Sequence, residues 1–172
     1  MQTEAIRLSV VMQRTLLTNR WQPYRWLPVE VTGAALLADG QARCLRNDPA
    51  DVRWLFTGFE IKLFSDEAEG YFLNIDSPAP CWFVMWRLEQ LAGAEVAVPK
   101  HVTLSYNEAA RLMDGGEQVD TLPATPAIIE RVSAFVQEHY RPEPKRKRRK
   151  PSFEGGAGVA QMAKAEGGSN GS

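Results

Sequence analysis

Two histidines, two cysteines and two groups of clustered carboxylates are the side chains of this chain best suited to form a reaction centre. A zinc centre needs four protein ligands, or three plus water, at set spacings. The sequence has neither C-x-x-C nor H-E-x-x-H, and His101 and His139 lie far apart. His101 falls at a strand start. His139 falls near a helix end, where a positive charge complements the helix dipole at the surface. Asp66, Glu67 and Glu69 could in principle hold a cation. Their place between two strand-like runs is that of a solvated hairpin tip, whose charges discourage edge pairing. Asp114, Glu117 and Asp120 read as solvated loop charges. Carboxylates that do acid–base work need a cleft to shift their pKa values, and no cleft is legible here. The phosphate loop G-x-x-x-x-G-K-[ST], a G-x-G-x-x-G turn after a strand, and the nucleophile elbow G-x-S-x-G are all absent from the sequence. The expectation is a chain without catalytic residues, metal ligands or a cofactor site. Cys44 and Cys81 are expected to be reduced thiols.

What remains is chemistry for binding. Lys145, Arg146, Lys147, Arg148, Arg149 and Lys150 form an unbroken cationic run. Such a run attracts nucleic acid, an acidic protein face or an anionic membrane surface, and it equally keeps a tail extended and soluble. Trp21 and Trp26 flank Pro23, with Arg20 and Arg25 beside them. Tryptophan with arginine is the makeup of an interface hot spot, although core packing is the ordinary fate of a tryptophan. Trp82 and Trp86 share one strand face and are expected in the core.

These residues must be held by elements that the hydrophobic pattern outlines. Ile6, Leu8, Val10 and Met12 alternate with more polar neighbours, as on a half-buried strand. Residues 21–31 carry Pro23 and Pro28, which suits an edge or interrupted strand. Residues 32–50, rich in Gly, Asn, Asp and Pro, read as mostly loop. Residues 52–56, 59–64, 70–75 and 82–88 read as four strands, separated by Thr57-Gly58, residues 65–70 and residues 76–80. The last of the four is apolar on both faces, so it is a central strand. Two shorter strand runs follow at residues 96–98 and 101–104. Ser105 and Glu108 then fit a capping box opening a helix that Gly115-Gly116 ends. Thr125 and Pro126 open a final helix, with Ile128, Ile129, Val132, Phe135 and Val136 as its apolar stripe, and Pro142 forbids its continuation. The fold class is α+β: mainly an antiparallel β meander or small barrel with two C-terminal helices.

Hydrophobic residues make up 44% of the chain, enough for a real core. The net charge of −1 hides a split: residues 1–140 carry 12 Lys+Arg against 18 Asp+Glu, whereas residues 141–172 carry 8 against 3. Residues 1–140 are expected as one compact β-rich domain, and residues 141–172 as a flexible, disordered, basic and Gly-rich tail. The N-terminal residues lack the layout of a signal peptide, and no apolar run reaches membrane-spanning length, so a cytoplasmic location is expected.

Several blocks resemble one known family. The residues are EGYFLN at 69–74, PCWFVMWR at 80–87, VTLSYNEAARLMDGGE at 102–117 and FVQEHYRPE at 135–143. Together they are similar to the bacterial domain-of-unknown-function family thirty-three-oh-five, over about residues 6–150. Genes of that family typically lie beside those of molybdenum- or tungsten-dependent formate dehydrogenases. The resemblance therefore implies a non-catalytic accessory protein or small subunit of such a system, with dehydrogenase subunits or maturation factors as partners. It carries over no catalytic residue. The candidate partner-binding residues are Trp21, Arg25, Trp26, Tyr106, Asn107, Arg111 and the six cations from Lys145 to Lys150. The alternative is a nucleic-acid-associated regulator that uses the basic tail.

Overall fold

The computed structural model describes residues 5–33 and 40–142. The expected disordered tail, apart from its first residues, lies outside them. The fold is α+β, with two antiparallel sheets rather than a closed barrel. Strands β1 (Ile6–Leu16), β2 (Tyr24–Thr32), β3 (Ala42–Asp48) and β4 (Asp51–Ile61) form a four-stranded sheet in the order β2-β1-β4-β3. Strands β5 (Cys81–Leu91), β6 (Ala94–Thr103) and β7 (Gln118–Pro123) form a second sheet in the order β6-β5-β7. Helices α1 (Ala68–Ile75), α2 (Tyr106–Asp114) and α3 (Pro126–His139) complete the fold, and a single 3-10 turn, Ser65–Glu67, leads into α1.

The core forms where the sheets meet. Ile6, Leu8, Val10 and Met12 from β1 share one cluster with Trp82, Val84, Val96 and Val102 from the second sheet. Val132, Phe135 and Val136 of α3 and Tyr71 of α1 close it from the helical side. Contacts run from β2 to β7 and from β4 to β6, and α1 packs on α2 and α3.

Several expectations are corrected. Residues 52–56 and 59–64 do not form two strands around a turn. Thr57-Gly58 is a bulge inside β4, where Leu8 pairs with Phe59 but Val10 pairs with Phe56. Gly58 takes φ 95°, which suits glycine. The bulge absorbs a slip in the alternation, so that Trp54, Phe56, Phe59 and Ile61 all face the core side. Residues 70–75 are the last six residues of helix α1 rather than a strand. Ala68, Tyr71 and Asn74 are buried at helical spacing, whereas Leu73, which a strand would bury with Tyr71, is exposed. The expected loop at 32–50 contains β3, which escapes a hydrophobicity test because all seven of its residues are exposed. The runs at 96–98 and 101–104 are one strand, β6. Strand β7 was not expected, because its six residues lack a continuous apolar face.

Other expectations hold. Strand β5 is central in its sheet. It returns as β6 through Ala92 (φ 51°) and Gly93 (φ 80°), the two positive φ values of a tight type I′ hairpin. Ser105 and Thr125 cap α2 and α3, accepting from the Glu108 and Ile128 backbone N–H groups. Gly115 follows the end of α2.

Candidate functional site

Strand β6 places His101 and Thr103 on one face, two residues apart, and the chain turns at Ser105 into α2. Glu108, in the first turn of α2, comes to lie over that face. Its carboxylate does not reach back to the Ser105 N–H, as a capping box requires. It accepts from Thr103 Oγ1 at 2.6 Å and lies 2.7 Å from His101 Nε2. The Ser105 N–H instead donates to Thr103 Oγ1 at 3.0 Å. The Ser105 hydroxyl accepts from the Glu108 N–H at 3.0 Å and donates to Glu67 Oε2 at 2.8 Å. Arg111 Nη2 meets the same Glu67 oxygen at 3.3 Å. Helix α1 approaches Ser105 so closely that a Cβ at Gly70 would sit 2.0 Å from its Oγ.

The hydrogen bond to Glu108 raises the His101 pKa above its ordinary range, and the same bond lowers that of Glu108. Burial pushes the Tyr71 phenol up to about 12, where its oxygen accepts from the Phe64 N–H at 3.0 Å. A small cleft of ≈ 170 Å³ opens here, bordered by Lys62, Asp66, Tyr71, His101 and Glu108 among others.

Two hydroxyls here lie within hydrogen-bond reach of a carboxylate, Thr103 of Glu108 and Ser105 of Glu67. The Ser105 hydroxyl is committed to Glu67 and to the helix cap. The Thr103 hydroxyl is committed to Glu108 and to the Ser105 N–H. These bonds tie β6, the 3-10 turn and α2 together. Of the acidic residues expected at a solvated hairpin tip, Asp66 and Glu67 instead lie in the 3-10 turn and Glu69 in the first turn of α1, with Glu67 engaged in the cluster. Glu117 and Asp120 are likewise corrected from free loop charges. Glu117 forms a two-pronged pair with Arg87, at 2.6 and 3.0 Å, and Asp120 accepts from Trp86 Nε1 at 2.7 Å. Sequence reasoning missed the His101–Glu108 cluster. The legible signal was the strand-to-helix junction: alternate residues before an N-cap share a face, and the N3 carboxylate can reach them.

The binding candidates fall on separate elements. Trp21, Arg25 and Trp26 belong to the β1–β2 hairpin, with Trp21 85% exposed in the connecting turn and Trp26 buried. Leu16 pairs with Tyr24 across that hairpin and Arg14 with Trp26. Opposed residues share a face, so the core-facing stripe through Met12 continues outward to Leu16 and Tyr24, which are 51% and 42% exposed. The Arg14 guanidinium lies 3.9 Å from the Tyr24 ring centroid, and that of Arg20 lies 5.4 Å from the Trp21 ring. Tyr106, Asn107 and Arg111 belong to α2. Tyr106 is exposed and touches Phe83 edge-on, Asn107 is half-buried, and Arg111 pairs with Glu67. The six tail cations lie outside the described residues. Cys44 is exposed, Cys81 is half-buried, and both are free. Among the described residues, no group of three or more His, Cys, Asp or Glu could hold a metal ion. No described helix is long and apolar enough to cross a membrane.

Fold and site together define an α+β domain of two antiparallel sheets and three helices, with an internally satisfied polar cluster and an exposed aromatic hairpin. The chain belongs to the family described as "Protein of unknown function (DUF3305)", which matches residues 7–149. No curated protein and no solved structure matches it.

Proposed function

We infer that this protein is a non-catalytic accessory protein or small subunit that acts by binding another protein, and that its partner belongs to a molybdenum or tungsten formate dehydrogenase system. The observation that carries the binding reading is the β1–β2 hairpin. Trp21, Leu16 and Tyr24 stand exposed there with Arg14 and Arg20 stacked on the rings. Tryptophan, tyrosine and arginine are the residues that dominate interface energetics once desolvated. The contrast with the polar cluster supports the same reading: its hydroxyls are spent on internal bonds, whereas Leu16, Trp21 and Tyr24 of the hairpin stand exposed. The choice of partner rests on the family resemblance.

Purification of the tagged full chain from its host, under gentle conditions, tests this. Dehydrogenase subunits or maturation factors should accompany the native protein, and Trp21→Ala should reduce their recovery about tenfold or more. Recovery of the protein alone would overturn the reading.

A further inference from the structure

Two sheets have four edge strands, and three of these edges are protected. Strand β2 carries Pro28 and packs against β7. Strand β6 carries Pro99 and Lys100 and packs against β4. Strand β7 is short, ends at Pro123 and packs against α2. Proline, lysine, shortness and cover are the usual means of blunting an edge. Strand β3 has neither proline nor lysine, runs for seven residues, and is exposed at every one of them.

We propose that the free edge of β3 takes an added strand from a partner protein, an extended segment in which acidic and apolar residues alternate. This builds on the protein-binding reading above and names the chemistry of one docking edge. An edge strand leaves a row of backbone N–H and C=O groups unpaired, and an extended segment satisfies them. The two faces of β3 specify its side chains.

The β3–β4 register shifts between Cys44 and Arg46, leaving Leu45 as the extra residue. Arg43 therefore opposes Leu55 and Arg46 opposes Arg53, which puts both arginines on the face away from the core. Two of the guanidinium groups on this face share the carboxylate of Asp51, which Arg53 meets at 3.0 Å and Arg46 at 3.4 Å. Asp48, the acidic residue of β3, accepts from the Ala50 N–H in the turn. Arg43, Arg46 and Arg53 thus stand against Asp48 and Asp51, and the outer face of this edge keeps an excess of positive charge that calls for acidic side chains. On the opposite face, β3 offers only Ala42, Cys44 and Asn47, which are too small to cover the half-buried Trp54 of β4. A bulky apolar residue on an added strand would reach it. A second copy of β3 would bring Arg43 and Arg46 onto the same face as their counterparts, so the edge suits a partner of opposite sign better than itself.

The test uses the full chain and two fluorescein-labelled peptides, one alternating valine with glutamate and one alternating valine with lysine. Fluorescence anisotropy should give at least about tenfold tighter binding of the glutamate peptide, and the double variant R43E/R46E should reverse that order. The tail cations attract the acidic peptide in both proteins alike, so the decisive quantity is the change between them. Hydrogen exchange localises it: amides of residues 42–48 should exchange at least about tenfold more slowly with the glutamate peptide bound. Arg43→Glu alone should give an intermediate affinity, and serves if the double variant does not fold. Unchanged affinity in the variants, or no protection of β3, overturns the proposal. A concentration-dependent dimer that R43E/R46E abolishes also overturns it, by giving the edge to a second copy. Dehydrogenase capture without peptide binding would remove this inference and leave the accessory reading standing. Peptide binding without capture would do the reverse.

Discussion

Asn74 offers the most informative single substitution. Its amide is buried at the C-terminal end of α1, and its Nδ2 donates to the Cys81 carbonyl at 2.8 Å and to the Leu104 carbonyl at 2.9 Å. Its Oδ1 accepts from the Cys81 N–H at 3.1 Å. One side chain thus joins α1 to the start of β5 and to the residue that follows β6. Asn74→Ala removes these three bonds, along with a weak one from the Cys81 thiol at 3.8 Å. The Leu104 carbonyl sits in a buried residue, so its loss of a partner carries the larger penalty, about 1–3 kcal/mol. Cys81 is half-exposed, and water can replace part of what its two groups lose. The expected destabilisation is about 3 kcal/mol, a large share of the roughly 5–15 kcal/mol that holds a domain together. Asn74→Asp should be worse, because it keeps the acceptor for Cys81 but sets a carboxylate against two carbonyl oxygens. Urea unfolding followed by tryptophan fluorescence measures both. A loss below about 1 kcal/mol for the alanine variant, at unchanged m-value, would refute the view that this amide clamps the helical layer to the second sheet.

Gly70→Ala should destabilise by about 1–3 kcal/mol despite alanine's better helix propensity, because the new methyl displaces the Ser105 hydroxyl from its cap; Ser105→Gly in the same chain should restore part of the loss in thermal melts. The His101–Glu108 pair should give a modest pH dependence. The folded His101 pKa lies above its ordinary 6.5, so its contribution is complete below that value and fades as pH rises through the raised one. The folded Glu108 pKa lies below its ordinary 4.5, so its contribution is complete above 4.5 and fades as pH falls through the lowered one. Their joint contribution therefore peaks between those ordinary values, and solvent exposure of both side chains keeps it below about 1 kcal/mol. His101→Gln should flatten that part of a stability–pH profile measured by urea unfolding. The fully buried Ser9 Oγ has no hydrogen-bond partner among the described residues, so Ser9→Ala should leave the thermal midpoint unchanged or raise it.

The sequence showed most of the fold wherever local chemistry is decisive. Ser105 and Thr125 mark helix starts because a hydroxyl there satisfies an orphan N–H. Strand β1 is visible because its core-facing residues alternate. The bulged β4 was split in two because Thr57-Gly58 has turn chemistry, and only pairing with β1 decides that the chain continues straight. Helix α1 reads as a strand in sequence because Tyr71, Leu73 and Ile75 fit period two, while Ala68, Tyr71 and Asn74 fit period 3.6, and a short window does not separate them. Strand β3 carries no hydrophobic signal, since all seven of its residues are exposed. Among the candidate site residues, tryptophan beside proline and arginine drew attention to Trp21. Its exposure and the burial of Trp26 depend on tertiary packing. The cluster around Glu108 was hidden because its members come from three elements, and each has an ordinary local explanation.

Recognition of a partner through the aromatic hairpin is the central proposal. Biolayer interferometry with purified formate dehydrogenase from the same host, immobilised and titrated with the full chain, tests that directly. Saturable binding that Trp21→Ala weakens by about 2 kcal/mol or more, roughly thirtyfold, is the expected result. Absence of binding by the folded native chain up to roughly 100 μM, or equal binding by the native and Trp21→Ala proteins, would contradict it.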